Sequence, residues 1–529
     1  MKLKLAVIVD GDAVQRFALD ALDAITGTDE IAVFSCTNTR IRKRWFRHAA
    51  YYGLNLLTVR NRLTRSVPIG AGQKKTTQSN AFASDYDGAW QVLPPAIVEE
   101  LNNFDVVLKF GMGLLRVPPP EALSTPILSF HHGDPDRYRG RPAGFWEMTE
   151  NAPVMGQVVQ VIGNRLDAGQ VVAFAETRIF PWSYRATLLE AYRHSPLIMD
   201  SAVRNAISGV YLSKRSEGRN CRLPSNVAVA GFIIRTTAQA IRRLLYGAFW
   251  EKAWQVSKTR KSPEFASGAL APPGEWQTLP VATGYNFYAD PFFSDQGILV
   301  EALNRRSGLG EIVRIDEQGG RSLIVERGHM SYPATTRIAG REVVVPEVAS
   351  WSQPRIYSLD PSGANLIGQL RIEGGTHVSD PTLFERYGRI FLFGNDRQAG
   401  SSVLHLWSSD SLEGEFRLHP ASPVRISPGG SRMGGNIIEQ DGQLYRLGQD
   451  FTRDYGDGLI LFEIGDLSVD SYSESLVNRI RFTDRKGPHT LNIRGNEIVF
   501  DWYRDRFAPL AGFRRLVAAF QRRRPQATQ

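Results

Sequence analysis

Three side chains able to do acid–base or transfer chemistry lie at the ends of short apolar runs. Ser129 and His131 close the run Pro126-Ile-Leu-Ser-Phe-His, and Asp167 sits in Asn164-Arg-Leu-Asp-Ala-Gly. An imidazole aimed at a developing oxyanion stabilises it by roughly 3 kcal/mol per donor, and a carboxylate can take the proton that an attacking amine sheds. Positions 129 and 131 point to one face of a strand, so the serine hydroxyl is a further donor beside the imidazole. A serine-hydrolase triad is disfavoured. No G-x-S-x-G elbow surrounds Ser129, and a serine two residues before its base on one strand lacks that geometry. Gly111 and Gly113 form no dinucleotide fingerprint, because Leu114 and Leu115 follow where its downstream part would fall.

The elements that must position these groups read as alternating strands and helices. Leu5–Val9, Ile31–Ser35, Asp105–Lys109, Pro126–His131 and Met155–Ile162 are apolar, β-branched runs separated by helical stretches such as Phe17, Leu19, Leu22 and Ile25. That alternation predicts βαβ units around a buried parallel sheet, whose ligands gather beyond the carboxyl ends of the strands. Residues 61–90 read as a loop excursion, residues 184–250 as helical, and Lys258–Gly274 as a linker or surface loop.

In order and spacing, Phe104–Leu115, Ile127–Pro142 and Gly156–Val172 resemble the folate-dependent formyltransferases that act on methionyl-tRNA, glycinamide ribonucleotide or nucleotide sugars. Their pattern has a strand ending in Asn-x-His, a Tyr-Arg-Gly-like turn and an Asp-x-Gly loop. Here His131, Tyr138-Arg139-Gly140 and Asp167-Ala168-Gly169 match it. The family asparagine is replaced by Ser129, and His132 stands where proline is frequent. The resemblance covers about residues 1–215. It implies 10-formyltetrahydrofolate as formyl donor, with Phe110, Gly111, Met112, Gly113, Leu114 and Leu115 along one wall of its pocket and Asn164 and Arg165 on the other. It also implies an amino-sugar or glycan acceptor, with His131, Asp167 and Ser129 as the catalytic set.

After about Trp250 the sequence turns all-β. A phrase of small residue or proline, aromatic and β-branched residues, and a glycine turn starts near Asp290, Tyr332, Asp380, Gly435 and His489. Spacing of about 50 residues suits one four-stranded blade per phrase, which predicts a five-bladed propeller, with a β-sandwich as the alternative. Ala289-Asp-Pro-Phe, Ser331-Tyr-Pro, Ser379-Asp-Pro, Gln449-Asp450 and Tyr455-Gly456 resemble the N-terminal, propeller-like domain of glucosamine inositolphosphorylceramide transferases. They more distantly resemble five-bladed glycoside hydrolases. The resemblance implies a funnel holding Asp290, Glu347, Asp380, Arg432 and His489, with Trp351, Trp407, Trp502 and Tyr503 as stacking partners for a sugar. Glycoside processing at those carboxylates is one alternative. A non-catalytic carbohydrate-binding scaffold is the other.

The chain has 529 residues, a formal charge of +9, 42% hydrophobic and 22% charged residues. These values exclude wholesale disorder and predict several domains. The expected division is 1–183 (a Rossmann-like α/β formyltransferase domain), 184–250 (a helical connector), 251–510 (the propeller) and 511–529 (a basic tail). Two cysteines make no disulfide framework, no metal spacing or nucleic-acid signature occurs, and a cytoplasmic protein is expected. The tail, Phe513-Arg-Arg-Leu-Val-Ala-Ala-Phe-Gln-Arg-Arg-Arg, predicts either contact with an anionic membrane at the inner face or docking on the body.

Overall fold

The structure, a computed structural model, describes residues 2–39, 46–260, 276–317, 319–326, 328–348 and 350–516. Residues 261–275 of the expected linker and the tail from 517 onward lie outside them. The chain forms two compact units, residues 1–241 and 242–529.

The first unit is built on a seven-stranded sheet. Its strands are β1 (Leu5–Asp10), β2 (Glu30–Cys36), β3 (Lys75–Phe82), β4 (Val106–Lys109), β5 (Ile127–His131), β6 (Val154–Val161) and β7 (Gln170–Arg178). Their spatial order is β7-β6-β5-β4-β1-β2-β3. The pairs β4–β5, β1–β4, β1–β2 and β2–β3 are parallel, whereas β6 pairs antiparallel with both β5 and β7. The sheet is therefore mixed. The expectation of an all-parallel sheet missed that a direct hairpin joins β6 to β7. The predicted excursion over 61–90 likewise contains the edge strand β3, whose mostly exposed, polar residues hid its pairing from a hydrophobic reading.

Helix α1 (Arg16–Asp23) buries Phe17, Leu19 and Leu22, and α2 (Tyr184–Ile207) buries Leu188, Ala191, Ile198, Met199 and Ala202. The Ser183 hydroxyl caps α2 by accepting from the Ala186 N–H at 3.1 Å, and Tyr192 stacks on Phe17 with ring centroids 4.6 Å apart. The expected connector thus begins with a helix that belongs to the first unit, because its apolar face is needed to cover that sheet. The unit boundary falls later, inside α3 (Asn226–Phe249).

The second unit contains five β-sheets among the described residues, antiparallel apart from one short parallel pairing of residues 371–372 with 415–416. The first strands of three of them are β9 (Tyr285–Ser294), β11 (Met330–Ile338) and β13 (Val378–Arg386), and β15 (Gly429–Met433) holds the same place in the fourth. Each slips register, between Ala289 and Phe292, Ser331 and Ala334, Ser379 and Thr382, and Gly429 and Arg432, and β9 slips a second time between Tyr285 and Tyr288. At the slips Asp290, Tyr332, Asp380 and Gly430 have φ of 47°, 46°, 49° and 97°. In the first three, the following proline disfavours the right-handed helical region, and the positive φ makes room for the bulge. Opposite the bulges stand polar residues of the next strands: Glu301 on β10 (Gly297–Asn304), Glu347 on β12 (Arg341–Val348), Asn395 on β14 (Arg389–Asp396) and Asp450 on β16 (Gln443–Asp450).

The fourth repeat is thus anchored at Gly430, ahead of the Gly435 start read from sequence, because glycine replaces the x-Pro signal there. The fifth sheet joins the two ends of the unit. Its strand β8 (Trp250–Arg260) pairs antiparallel with β18 (Glu497–Phe507), which also pairs with β17 (Leu491–Arg494).

Gly448 on β16 crosses Gly430 so closely that a Cβ would lie 2.3 Å from the Gly430 carbonyl oxygen, whereas one on Gly368 would meet nothing within 4 Å. Gly448→Ala is expected to lower the unfolding free energy by about 1–3 kcal/mol. Gly368→Ala should be near neutral in the same denaturant titration.

Candidate functional site

In the first unit, β1, β4 and β5 end at Asp10, Lys109 and His131, along the carboxyl edge of the parallel strands. Ser129 is the register partner of Lys109, so both side chains lie on the face that carries His131. His131 and Asp167, far apart in sequence, converge: Nδ1 stands 3.4 Å from Asp167 Oδ2. The imidazole is nevertheless bound on both sides. Its Nε2 lies 2.8 Å from the Tyr138 carbonyl oxygen, which can only accept, so Nε2 carries a proton. Asp167 Oδ2 also accepts the Gly140 N–H at 2.8 Å. Gly140 is required, since its φ is 91° and a Cβ would sit 2.3 Å from the Cys221 carbonyl oxygen. Buried and braced in this way, His131 cannot turn Nε2 toward a ligand without losing the bond to Tyr138. Its expected use as the oxyanion donor would need that bond to open.

The side chain that sequence reasoning missed is Lys109. Its Nζ donates to the Gly113 carbonyl at 2.9 Å. Burial pulls its pKa down to about 8, against the opposing pull of the Asp10 and Asp167 carboxylates. Asp10 Oδ1 accepts the Met112 N–H at 2.9 Å and the Thr39 hydroxyl at 2.5 Å, and so fixes the loop that follows β4. Ser129 Oγ makes only a long contact of 3.5 Å to the Lys109 carbonyl. An ammonium beside a carboxylate can stabilise a negative oxygen while the carboxylate takes a proton.

The expected cofactor wall is divided. Met112 and Leu115 are core residues, packed with Ile8, Phe34 and Val107, and are unavailable to a ligand. Phe110 stacks on Phe130 at 6.3 Å. Gly111 approaches Asp10 rather than a ligand, since a Cβ there would lie 2.8 Å from its carboxylate. Leu114 is half-buried and Gly113 is exposed, with φ 48°. Asn164 is tied to residue 117, accepting from its N–H at 2.8 Å and donating to its carbonyl at 3.1 Å, while Arg165 is exposed. His132 is held neutral by burial, which pulls its pKa down to about 3, among Phe17, Phe130 and Tyr192.

In the second unit the five expected funnel residues fall into two buried clusters. Arg432 grips Asp380 with two bonds of 2.6 and 2.8 Å and stands 3.6 Å from Glu347. His489 Nδ1 lies 3.1 Å from Asp290 and 3.2 Å from Asp501. Tyr455 links the clusters, its hydroxyl 2.7 Å from His489 Nε2 and its ring 5.5 Å below the Arg432 guanidinium. Burial pushes Asp380 up to about 7 in spite of Arg432, and Glu347 adds to the rise. Burial also opposes ionisation of Asp290, but the His489 charge and hydrogen bond outweigh it and hold Asp290 below the ordinary range. Asp290, His489 and Asp501 could together hold a metal ion. The same atoms are also satisfied by hydrogen bonds, with Asp501 accepting the His489, Thr490 and Asp290 N–H groups at 2.8–3.0 Å.

Asp501 was missed by a reading of first strands alone, and its place opposite Thr490 was the available signal. Trp407, Trp502 and Tyr503 are buried in the core, so of the expected stacking residues only Trp351 keeps a partly open ring.

Residues 316–497 match the family model described as glucosamine inositolphosphorylceramide transferase 1, N-terminal. Two curated relatives bear the name glucosamine inositolphosphorylceramide transferase 1. The one from Arabidopsis thaliana is 27% identical over 228 residues, and the one from Oryza sativa subsp. japonica is 28% identical over 233. They cover 39% and 40% of this chain, which spans only 29% and 31% of their length. Among solved structures, an N-formyltransferase from Helicobacter canadensis in complex with folinic acid and dTDP-3-aminofucose is similar at 10% identity and a TM-score of 0.27. That match covers 60% of this chain and 100% of the other. A family 117 glycoside hydrolase from Zobellia galactanivorans is similar at 11% identity and a TM-score of 0.30, covering 48% and 90%.

The lowered Lys109 pKa has a consequence for stability. Between pH 8 and the ordinary lysine value, the unfolded chain holds a proton that the folded chain has lost, so stability rises with pH through that window. Relative to Lys109→Met, the unmodified chain should gain on the order of 2 kcal/mol across it and show no such trend below pH 8. Urea titrations over a pH series measure this, and a falling difference would contradict the assignment.

Proposed function

We propose that the first unit transfers a formyl group from 10-formyltetrahydrofolate to the amine of an amino sugar, nucleotide- or lipid-linked, in glycan assembly. The observation that carries the reading is the meeting of His131 and Asp167 at the carboxyl edge of the sheet, with the Lys109 cation on the same face. The donor set fits a formyl donor: an ammonium and a hydroxyl for the carbonyl oxygen, and a carboxylate for the amine proton. Gly113, where a Cβ would meet Gln91 Oε1 no closer than 4.0 Å, adds exposed main chain that a flat ring can approach.

10-Formyltetrahydrofolate would supply the formyl carbon: its bond to N10 breaks, the bond to the acceptor nitrogen forms, and the proton that the amine loses ends on the leaving N10. Lys109 stabilises the oxygen that becomes negative, and Ser129 adds a shorter-reaching donor in place of the family asparagine. Asp167 takes the proton lost by the amine. Among the described residues its contacts with His131 and the Gly140 N–H fall on Oδ2, and Oδ1 is the oxygen offered to that proton. His131 holds Asp167 and the Tyr138–Gly140 turn in place.

For the second unit, the reading is a five-bladed propeller whose funnel binds the glycan. What supports it is the repeated bulge and the polar residue set opposite each one. The opposite pKa shifts of Asp290 and Asp380 favour a second reading, glycoside processing, which needs one ionised and one protonated carboxyl.

Purified chain mixed with 10-formyltetrahydrofolate and a panel of amino sugars should release tetrahydrofolate, followed by absorbance. Lys109→Met and Asp167→Asn should each lower kcat by roughly 100-fold or more. Arg432→Gln should spare transfer to soluble amino sugars while weakening glycan binding. Unchanged turnover in both first-unit variants would sink the assignment.

A further inference from the structure

Helix α3 is 24 residues long, yet its buried residues are only Val229 and Phe232. In its last two turns, which lie in the second unit, Leu244, Leu245 and Phe249 are all exposed, with Leu244 at 72%. A helix of a globular protein ordinarily turns such a stripe toward a core. The helix contains no aspartate or glutamate, and Arg235, Arg242 and Arg243 are exposed along it.

In the second unit the end of α3 meets the helical turn 511–516. Arg515 donates to the Trp250 carbonyl at 2.6 Å, and a Cβ on Gly512 would lie 3.1 Å from Ala248 Cα. That turn and the strand before it expose Phe507, Leu510, Phe513 and Leu516, each by more than half. Glu251, the acid beside them, is engaged by Arg506 and Arg514. The result is a broad apolar face fringed by arginines. No described helix is long and apolar enough to cross a membrane, so this face suits lying along one.

We propose that the last turns of α3, residues 242–249, and the 511–516 turn form a seat for an anionic lipid bilayer surface. The charge pattern selects that occupant. Two copies of the face brought together would oppose arginine to arginine with no acid on α3 to offset them, whereas a bilayer carrying anionic headgroups supplies both apolar depth and negative charge.

Full-length chain sedimented with vesicles of equal parts phosphatidylcholine and phosphatidylglycerol should bind, and molar salt should release it. Leu244→Glu with Phe513→Glu should weaken binding roughly tenfold or more. Arg242→Gln and Arg243→Gln should each weaken it roughly fivefold, and only on anionic vesicles. Because these side chains are exposed, the variants should melt as the parent does. Hydrogen exchange should slow over residues 242–249 on vesicles. Absence of vesicle binding, equal binding by the Leu244→Glu/Phe513→Glu variant, or a dimer dispersed by those same substitutions would overturn the proposal.

Discussion

The first unit is organised by an imidazole whose Nε2 donates to the Tyr138 carbonyl while its Nδ1 stands 3.4 Å from the Asp167 carboxylate. His131 ends the strand at the centre of the site, and its two contacts tie that strand to the Tyr138–Gly140 turn and to the loop carrying Asp167. Removing the ring would leave the Tyr138 carbonyl without its donor, at a cost of about 1–3 kcal/mol, while Asp167 would keep the Gly140 N–H. The same brace decides the chemistry. With Nε2 committed to the Tyr138 carbonyl, the proposed oxyanion donor is Lys109, whose pKa is lowered by burial.

The second unit repeats one local device. A positive-φ residue before a proline, or a glycine, bulges the first strand and sets a polar side chain of the next strand opposite it. Charges gathered in this way are buried and must be paired. Arg432 does this for Asp380, and His489 for Asp290 and Asp501. Pairing of this kind holds geometry more than it adds stability, since desolvation takes back much of the Coulombic gain. Tyr455, partly exposed and touching both cations, joins the two clusters to solvent.

Much of this was legible in the sequence, for identifiable reasons. Buried strands declare themselves as β-branched runs, so β1, β2, β4 and β5 were readable, and the x-Pro signal marked three bulges. His131 and Asp167 were found because their spacing matched a known pattern, and they do converge. The rest depended on tertiary context. Lys109 reads locally as a strand-end lysine bound for solvent, and only its register beside Ser129 turns it onto the site. Strand β3 is polar because it is an edge, Gly430 replaces the marker that flagged the other bulges, and Asp501 owes its role to a partner on another strand. Met112 and Leu115 were assigned to a pocket although the same apolar character serves the core.

The protonation of His131 is the most direct test of this account. Long-range nitrogen–proton correlation spectra of the chain labelled with 15N-histidine report which ring nitrogen carries hydrogen. The account predicts a proton on Nε2, hydrogen-bonded to the Tyr138 carbonyl. An unprotonated Nε2, with hydrogen on Nδ1 alone, would free the imidazole to face a ligand and contradict the division of roles between His131 and Lys109.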